Sequence, residues 1–293
     1  MEVIHQLLEI FPYAVLGSVL AGIVCSFLGV FVVSQRVVFL GAALTQASIA
    51  GVAFSFLHLI NIEAFFSSLL GIKINENSFL HNIEPAFFSM LFAIITVLIF
   101  SQTHKQKYFT QDGILGIVFV VAIAIRIMFI QKSPVAEVSE IESILKGDIL
   151  FIGSKEFYAL LIIALTVISI FIIFQKQFKF VIFDPESADA HGMNSKFWLL
   201  LFYLVVGIGI SLITRFVGDV FTFAYLIIPS TIGIMLGKSV IKVFIIAVVV
   251  GAVLPPISLL LAFKMDFSSG PMAVATAFVL FMIVLAYKKL ANK

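Results

Sequence analysis

Residues 11–60 read FPYAVLGSVLAGIVCSFLGVFVVSQRVVFLGAALTQASIAGVAFSFLHLI, and Arg36 is their single charged side chain. An α-helix rises about 1.5 Å per residue, so about 20 apolar residues cross the hydrocarbon core of a membrane. Each half of the stretch is therefore long enough to span a bilayer, and Arg36 lies at the turn between the halves. These uninterrupted apolar runs exclude a membrane β-barrel, in which lipid-facing and lumen-facing residues alternate.

The rest of the 293-residue chain repeats this pattern. Of all residues, 62% are hydrophobic and 12% are charged, against about 45–50% and roughly 25% in soluble domains. A soluble fold of this composition would expose large apolar patches, so we predict an integral membrane protein and exclude a cytosolic enzyme. The predicted fold is all-α and polytopic, a single transmembrane domain over residues 1–293 with about eight or nine crossings, some short or broken. The predicted crossings lie in residues 10–35, 37–62, 85–103, 113–131, 157–175, 197–214, 220–237, 243–263 and 267–287.

Simple counts exclude further classes. The net charge of +2, from 18 basic and 16 acidic residues, is too small to favour a nucleic-acid partner. The single cysteine, Cys25, leaves no intrachain disulfide and no metal site built from several cysteines. The first ten residues lack the positive charge of a signal peptide, so the first crossing is predicted to be a permanent helix.

Lys and Arg concentrate on the cytoplasmic side of membrane proteins, and this rule orients the chain. With the N-terminus outside, Arg36 and the lysine-bearing connection at 176–196 lie inside. The loops at 60–84 and 132–156 then lie outside, and the second is mostly acidic. Residues 218–237 contain Pro229 and several glycines, so we interpret them as a broken helix or a re-entrant pair of half-helices.

The sequence DPESADAHG at 184–192 predicts a short helix that stands alone on the cytoplasmic side. Asp184 is a good N-cap and Pro185 fits the first helical position. Glu186 suits the positive end of the helix dipole, and Gly192 suits the C-cap. The helix is either an ordinary surface turn or a docking element for a cytoplasmic partner.

Polar residues occur within the second crossing, which otherwise consists of small and apolar residues. In GAALTQASIAG at 41–51, Thr45, Gln46 and Ser48 have two interpretations. They join helices by hydrogen bonds within a close contact of small residues, or they form a polar stripe that lines a route across the membrane.

Two charged residues interrupt apolar segments. A charge at the bilayer centre costs roughly 2.5–3.5 kcal/mol on insertion scales, so such residues are functional candidates. Asp219 either lines a route, caps a helix, or pairs with Arg215 four residues earlier. Arg126 either reaches the interface, pairs with a carboxylate or lines a route.

Two other patterns resemble binding motifs. Near the predicted external face, His58, Glu63, His81 and Glu84 form either a zinc-attracting rim or an ordinary solvated loop. The Gly-Lys-Ser at 237–239 lacks the first glycine and the preceding strand of a Walker A motif, so we predict no ATP binding there.

Five longer motifs follow one another along most of the chain. They are VFLGAALTQASIAGVAF at 38–54, GDILFIG at 147–153, FDPESADAHG at 183–192, RFVGDVFTFAYLIIPS at 215–230 and SGP at 269–271. Together they resemble the permeases of the ABC-3 family, the membrane subunits of zinc, manganese and iron ABC importers.

The resemblance implies a type II importer-like fold in a bacterial cytoplasmic membrane. It also implies a homodimeric pore, cytoplasmic ATPase subunits that use ATP, and an external metal-binding protein. The chain itself is then no enzyme and binds no cofactor. Contact with the ATPase is implied for Asp184, Pro185, Glu186, Ala188 and Gly192.

The resemblance fails at one point of the second crossing. The family pattern is commonly Gly-Asp-Ala-Leu-Ser-His-Ala, whose Asp and His share a helix face and are the implied metal contacts. This chain has Ala42 and Gln46 at those positions. The implied translocation path then comprises Ala42, Thr45, Gln46, Ser48 and Asp219, and the candidate metal ligands are Asp219 and His58.

Without the Asp and the His of the family pattern, the chemical form of the transported metal is open. A bare divalent ion needs strong ligands to replace its water. Three explanations are consistent with transport. The ion passes partly hydrated, another residue such as Asp219 replaces the carboxylate, or the cargo is a metal chelate that carries its own ligands. A sensor or scaffold that keeps the fold without transporting is a further alternative.

Overall fold

The computed structural model describes residues 11–57, 83–103, 110–133, 149 and 152–291. Within these residues, nine helices are long and apolar enough to cross a membrane, which confirms the all-α polytopic prediction. They are α1 Pro12–Ser34, α2 Val38–Ser55, α3 Ile83–Thr103, α4 Gln111–Lys132, α5 Ser154–Ile173, α8 Ser195–Val217, α9 Asp219–Leu236, α10 Val240–Met265 and α11 Ser269–Ala291. Two shorter helices, α6 Gln175–Phe183 and α7 Pro185–Ala190, lie between the fifth and sixth crossings.

Helix α1 is a central element of the bundle and packs on α9 and α10. A Cβ atom on Gly22 would overlap the carbonyl oxygen of Gly251 in α10. A Cβ atom on Gly29 would overlap the carbonyl oxygen of Leu226 in α9. These glycines therefore allow the backbones to approach closely, as small residues commonly do where membrane helices meet.

The interpretation of residues 218–237 as a broken or re-entrant helix is wrong. Helix α9 continues without interruption through Pro229. Proline is tolerated in membrane helices because neighbouring helices and polar side chains support the backbone around it. Next to Pro229, Ser230 Oγ donates a hydrogen bond to the carbonyl oxygen of Ser26 in α1 at 2.9 Å.

The connection at 176–196 contains two helices, of which the sequence analysis predicted one. Helix α6 buries Phe178 and Val181 and exposes Lys176 and Lys179. Apolar residues three positions apart were the available signal for this amphipathic helix. Phe178 packs among the rings of Phe171, Phe174, Trp198 and Phe202 in the neighbouring helices.

Two hydrogen bonds between residues at the ends of crossings agree with crossings that alternate in direction across the membrane. Gln35 follows the first crossing, and its Nε2 donates to the carbonyl oxygen of Ile182, after the fifth, at 3.0 Å. Lys288, near the end of the ninth crossing, donates from Nζ to the carbonyl oxygen of Met235, at the end of the seventh, at 2.9 Å. The first and fifth crossings thus end on the same face, and so do the seventh and ninth, as expected if odd-numbered crossings end on the cytoplasmic face.

The second predicted external loop, at 132–156, is shorter than expected at both ends. Helix α4 continues to Lys132 and α5 begins at Ser154, so the second loop lies within 133–153. Gly153 N donates to Glu156 Oε2 at 3.1 Å, which caps the start of α5. The first loop, including His58, lies outside the described residues up to position 82, and Glu84 belongs to α3.

Candidate functional site

Polar side chains from three helices meet inside the bundle. Gln46 of α2, Arg126 of α4 and Asp219 of α9 form what we call the polar cluster. Gln46 Nε2 donates to Asp219 Oδ2 at 2.8 Å. Arg126 Nη1 donates to Gln46 Oε1 at 2.6 Å and lies 3.5 Å from Asp219 Oδ2. The side chains of Arg126 and Asp219 are 18% and 9% exposed, so the pair is largely removed from solvent.

A turn of one residue places Asp219 in the cluster. Gly218 joins α8 to α9 with a φ of 81°, which favours glycine. Asp219 is then the first residue of α9, where the positive end of the helix dipole stabilises a carboxylate. Its Oδ1 accepts a hydrogen bond from the Val220 N–H at 2.7 Å. Because Val217 and Phe221 are fully buried, the turn holds the carboxylate within the protein.

The structure shows which side chains the two charged residues contact. Arg126 pairs with a carboxylate, and that carboxylate is Asp219. The guanidinium of Arg215 lies 5.6 Å from the centre of the Phe216 ring. The sequence analysis marked Arg126 and Asp219 separately and did not predict that they meet.

Among the predicted path residues of α2, Gln46 alone reaches the polar cluster. Ala42 is buried one turn before it. Thr45 Oγ1 donates to the carbonyl oxygen of Ala42 at 3.0 Å, and Ser48 Oγ donates to that of Leu44 at 2.6 Å. Both hydroxyls are thus buried and satisfied within their own helix, whose small residues pack closely on neighbouring helices.

The polar cluster has no net charge and is not a preformed metal centre. Asp219 is the single carboxylate among its three residues, and Arg126 balances its charge. Across the described residues, no three His, Cys, Asp or Glu side chains come together in a way that could hold a metal ion. Of the predicted external rim, Glu84 is buried at the start of α3, whereas His58, Glu63 and His81 lie outside the described residues.

The short helix predicted on the cytoplasmic side is α7. Asp184 Oδ1 accepts a hydrogen bond from the Ser187 N–H at 3.0 Å, and Pro185 occupies the first turn, as predicted. Hydrogen bonds from the Ser187 side chain and backbone hold the pKa of Asp184 below its ordinary value. The C-cap is His191, not Gly192 as predicted, and Gly192 follows it with a φ of 81°.

Helix α7 does not stand alone, in contrast to the prediction. Ala188 is fully buried. Asp189 accepts two hydrogen bonds from Ser195, the first residue of α8: one from the N–H at 2.9 Å and one from Oγ at 2.7 Å. Glu186, in the first turn, is exposed. One side of α7 is therefore attached to the bundle, and another is open to a partner.

The Gly-Lys-Ser at 237–239 forms the turn between two crossings. Gly237 ends α9, and Ser239 caps α10 by accepting a hydrogen bond from the Lys242 N–H at 3.4 Å. This turn joins two helices and follows no strand, unlike the phosphate-binding loop of a Walker A motif.

A sequence model described as the ABC 3 transport family matches residues 8–288. The chain belongs to the ABC 3 transport family. This ABC 3 family chain is 27% identical to the manganese transport system membrane protein MntC of Listeria monocytogenes, over 94% of this chain and 89% of that protein. It is 23% identical to a probable iron transport system membrane protein of Haemophilus influenzae, over 96% of this chain and 93% of that protein.

The fold of this ABC 3 family chain also resembles a solved structure, PsaBC from Streptococcus pneumoniae in complex with Fab. The TM-score is 0.76 at 20% identity, and the match covers 96% of this chain and 94% of the other. The family match and the nine apolar helices make the chain a multi-pass membrane subunit of an ABC transport system.

Proposed function

We propose that this ABC 3 family chain is the permease subunit of an ATP-driven importer of transition-metal ions in a bacterial cytoplasmic membrane. The names of the two relatives, which refer to manganese and iron transport, support the metal cargo. The observation that carries the proposal is the polar cluster, held by three helices inside an apolar bundle. Ionisable residues at such positions are costly and commonly mark transport routes.

The proposed route runs beside the polar cluster. Gln46 and Asp219 of the cluster face the route directly, and Ala42 lies on the same helix face as Gln46, one turn away. Thr45 and Ser48 lie on the adjoining part of α2, and we propose that they approach the cargo when α2 shifts during transport. A weakly binding route of this kind favours release, because a site that binds an ion too tightly does not let it leave.

The remaining parts of the importer are proposed to be separate proteins. Cytoplasmic ATPase subunits hydrolyse ATP, so this chain binds no cofactor, and an external metal-binding protein delivers the cargo. Two copies of the chain form the pore as a homodimer, and the chain acts as one permease domain. The ATPase contacts α7 through its exposed Glu186 and the neighbouring exposed residues Asp184, Pro185 and Gly192, while the buried Ala188 holds the helix on the bundle.

Metal uptake by the reconstituted transporter tests this proposal. The chain is placed in proteoliposomes with its ATPase and binding protein, and the entry of zinc, manganese and iron, free and chelated, is measured with ATP and with a non-hydrolysable analogue. We expect ATP-dependent accumulation of metal in at least one form. ATP hydrolysis without entry of any metal would instead identify a sensor or scaffold with the same fold.

A further inference from the structure

The polar cluster uses only part of the Arg126 guanidinium. Within the described residues, Nη1 is its one nitrogen with hydrogen-bond acceptors, Gln46 Oε1 and Asp219 Oδ2. The Nε atom is buried and has no hydrogen-bond partner among those residues. A buried donor without an acceptor is costly, so its retention calls for a group that supplies the acceptor.

The unused donors lie on the edge of the guanidinium that suits a carboxylate. The N–H of Nε and one N–H of Nη2 point the same way along one side of the planar group, and such a pair matches two oxygens of a carboxylate. Nη1 lies away from this edge. Gln46 and Asp219 therefore hold Arg126 in place while leaving a bidentate donor pair unoccupied by described residues.

The charges of the cluster disfavour a bare cation. Asp219 already accepts hydrogen bonds from Gln46 Nε2 and the Val220 N–H, and its Oδ2 lies 3.5 Å from Arg126 Nη1. A divalent ion at Asp219 would compete with these donors for the carboxylate oxygens and stand beside a guanidinium that stays charged in proteins. A metal cation and the Arg126 guanidinium, both next to Asp219, would repel each other strongly in this poorly solvated site.

We propose that Arg126 contacts the cargo through its Nε–Nη2 edge when the helices around the buried Nε move apart during transport, and that the cargo is a metal chelate whose outer shell presents carboxylate oxygens. This inference rests on the proposed function and names its substrate class. Gln46 and Asp219 are then positioning residues that orient Arg126. The chelate brings the ligands that a bare ion would require from the protein, so Ala42 and Gln46 suffice where strong metal ligands would otherwise be needed.

Uptake kinetics with two probes test the inference. Iron supplied as Fe(III)–citrate and manganese supplied as free Mn(II) are offered to the reconstituted transporter with ATP. The variants are Arg126→Gln, which removes the charge and the donor pair, and Arg126→Lys, which keeps the charge alone. Lys132→Gln is the matched control, because it removes an exposed positive charge from the end of the same helix, α4.

We expect the wild type to take up Fe(III)–citrate in preference to free Mn(II). Arg126→Gln should raise the KM for Fe(III)–citrate by about tenfold or more, with a smaller change in kcat, because it removes a bidentate charge-assisted contact. Arg126→Lys should raise the KM as well, since a lysine lacks the planar pair of donors. Lys132→Gln should keep the wild-type KM.

A double variant distinguishes loss of the cargo contact from loss of folding. Arg126→Gln leaves Asp219 without its counter-charge, whereas Arg126→Gln combined with Asp219→Asn removes both charges and should restore thermal stability while the KM stays raised. Entry of free Mn(II) without entry of Fe(III)–citrate would overturn the inference and leave the proposed function standing. So would an unchanged KM for Fe(III)–citrate in every Arg126 variant. If neither probe enters although ATP is hydrolysed, this inference fails, and the proposed function fails with it only if zinc and the other metal forms also stay outside.

Discussion

Arg126 and Asp219 neutralise each other in a place where either charge alone would be costly. Removing one partner of such a pair leaves an uncompensated charge in the bundle. We predict that Asp219→Asn lowers the free energy of unfolding of the purified chain by about 1–3 kcal/mol. Uptake should fall about tenfold, because the Arg126 guanidinium loses one of the groups that orient it. Thermal unfolding in detergent and uptake in proteoliposomes measure the two effects.

The control is Asp266→Asn, which alters an exposed carboxylate in the turn between α10 and α11. Asn tolerates the left-handed backbone of this residue, whose φ is 55°. Wild-type stability and uptake are expected for the control. If Asp219→Asn behaved like the control, Asp219 would neither balance Arg126 nor orient it.

At the level of elements, the turn between α8 and α9 is the device that brings a carboxylate into the bundle. Gly218 has φ 81° and ψ 168°, a region of backbone conformation that is essentially restricted to glycine. We predict that Gly218→Ala destabilises the protein by about 1–3 kcal/mol, seen as a lower temperature of thermal unfolding. Uptake should fall as well, because the strain displaces Asp219 from Gln46 and Arg126.

A glycine in α4 provides the matched control for this turn. Gly116 has open space around its Cα, since a Cβ atom there would meet no heavy atom within 4 Å. Gly116→Ala should therefore keep or slightly raise the unfolding temperature, because alanine favours a helix over glycine by about 1 kcal/mol. Equal effects of the two substitutions would show that the Gly218 backbone is not the critical feature.

The elements that depend on local sequence were predictable, and those that depend on neighbours were not. Long apolar runs predicted the crossings, and Asp184 with Pro185 predicted α7, because capping involves adjacent residues. Helix α6 was missed because its polar residues outweighed a short apolar face. Pro229 was misjudged because the support for an unbroken α9 comes from α1, far away in sequence.

In the polar cluster, too, the sequence indicated single residues but not their packing. Arg126 and Asp219 were recognisable as unusual because a charge in an apolar segment needs a reason. Their meeting with Gln46 depends on how α2, α4 and α9 pack, and no spacing along the sequence encodes that arrangement. The Nε of Arg126, which has no partner among the residues that the structure describes, is recognisable only in the assembled site.

Across the whole molecule, α8 connects the two functional ends. It has 23 residues and is about 35 Å long. Its first residue, Ser195, is bonded to Asp189 in α7, where the ATPase is proposed to bind. Its last residue, Val217, is followed by Gly218 and by Asp219 of the polar cluster. A displacement of α7 can therefore reach the polar cluster through one continuous helix.

This connection predicts that Asp189→Ala separates ATP hydrolysis from uptake. The substitution removes both acceptors for Ser195 but keeps the Asp184 cap and the exposed Glu186, so the ATPase should still assemble with the permease. We expect near-normal ATP hydrolysis and a several-fold lower ratio of metal transported to ATP hydrolysed, because a displaced α7 no longer pulls on α8. Glu186→Arg is the contrasting variant: it reverses a charge on the open side of α7 and should reduce co-purification of the ATPase instead. An unchanged transport ratio in Asp189→Ala would mean that the force passes by another route, such as the bond from Gln35 to the end of α6.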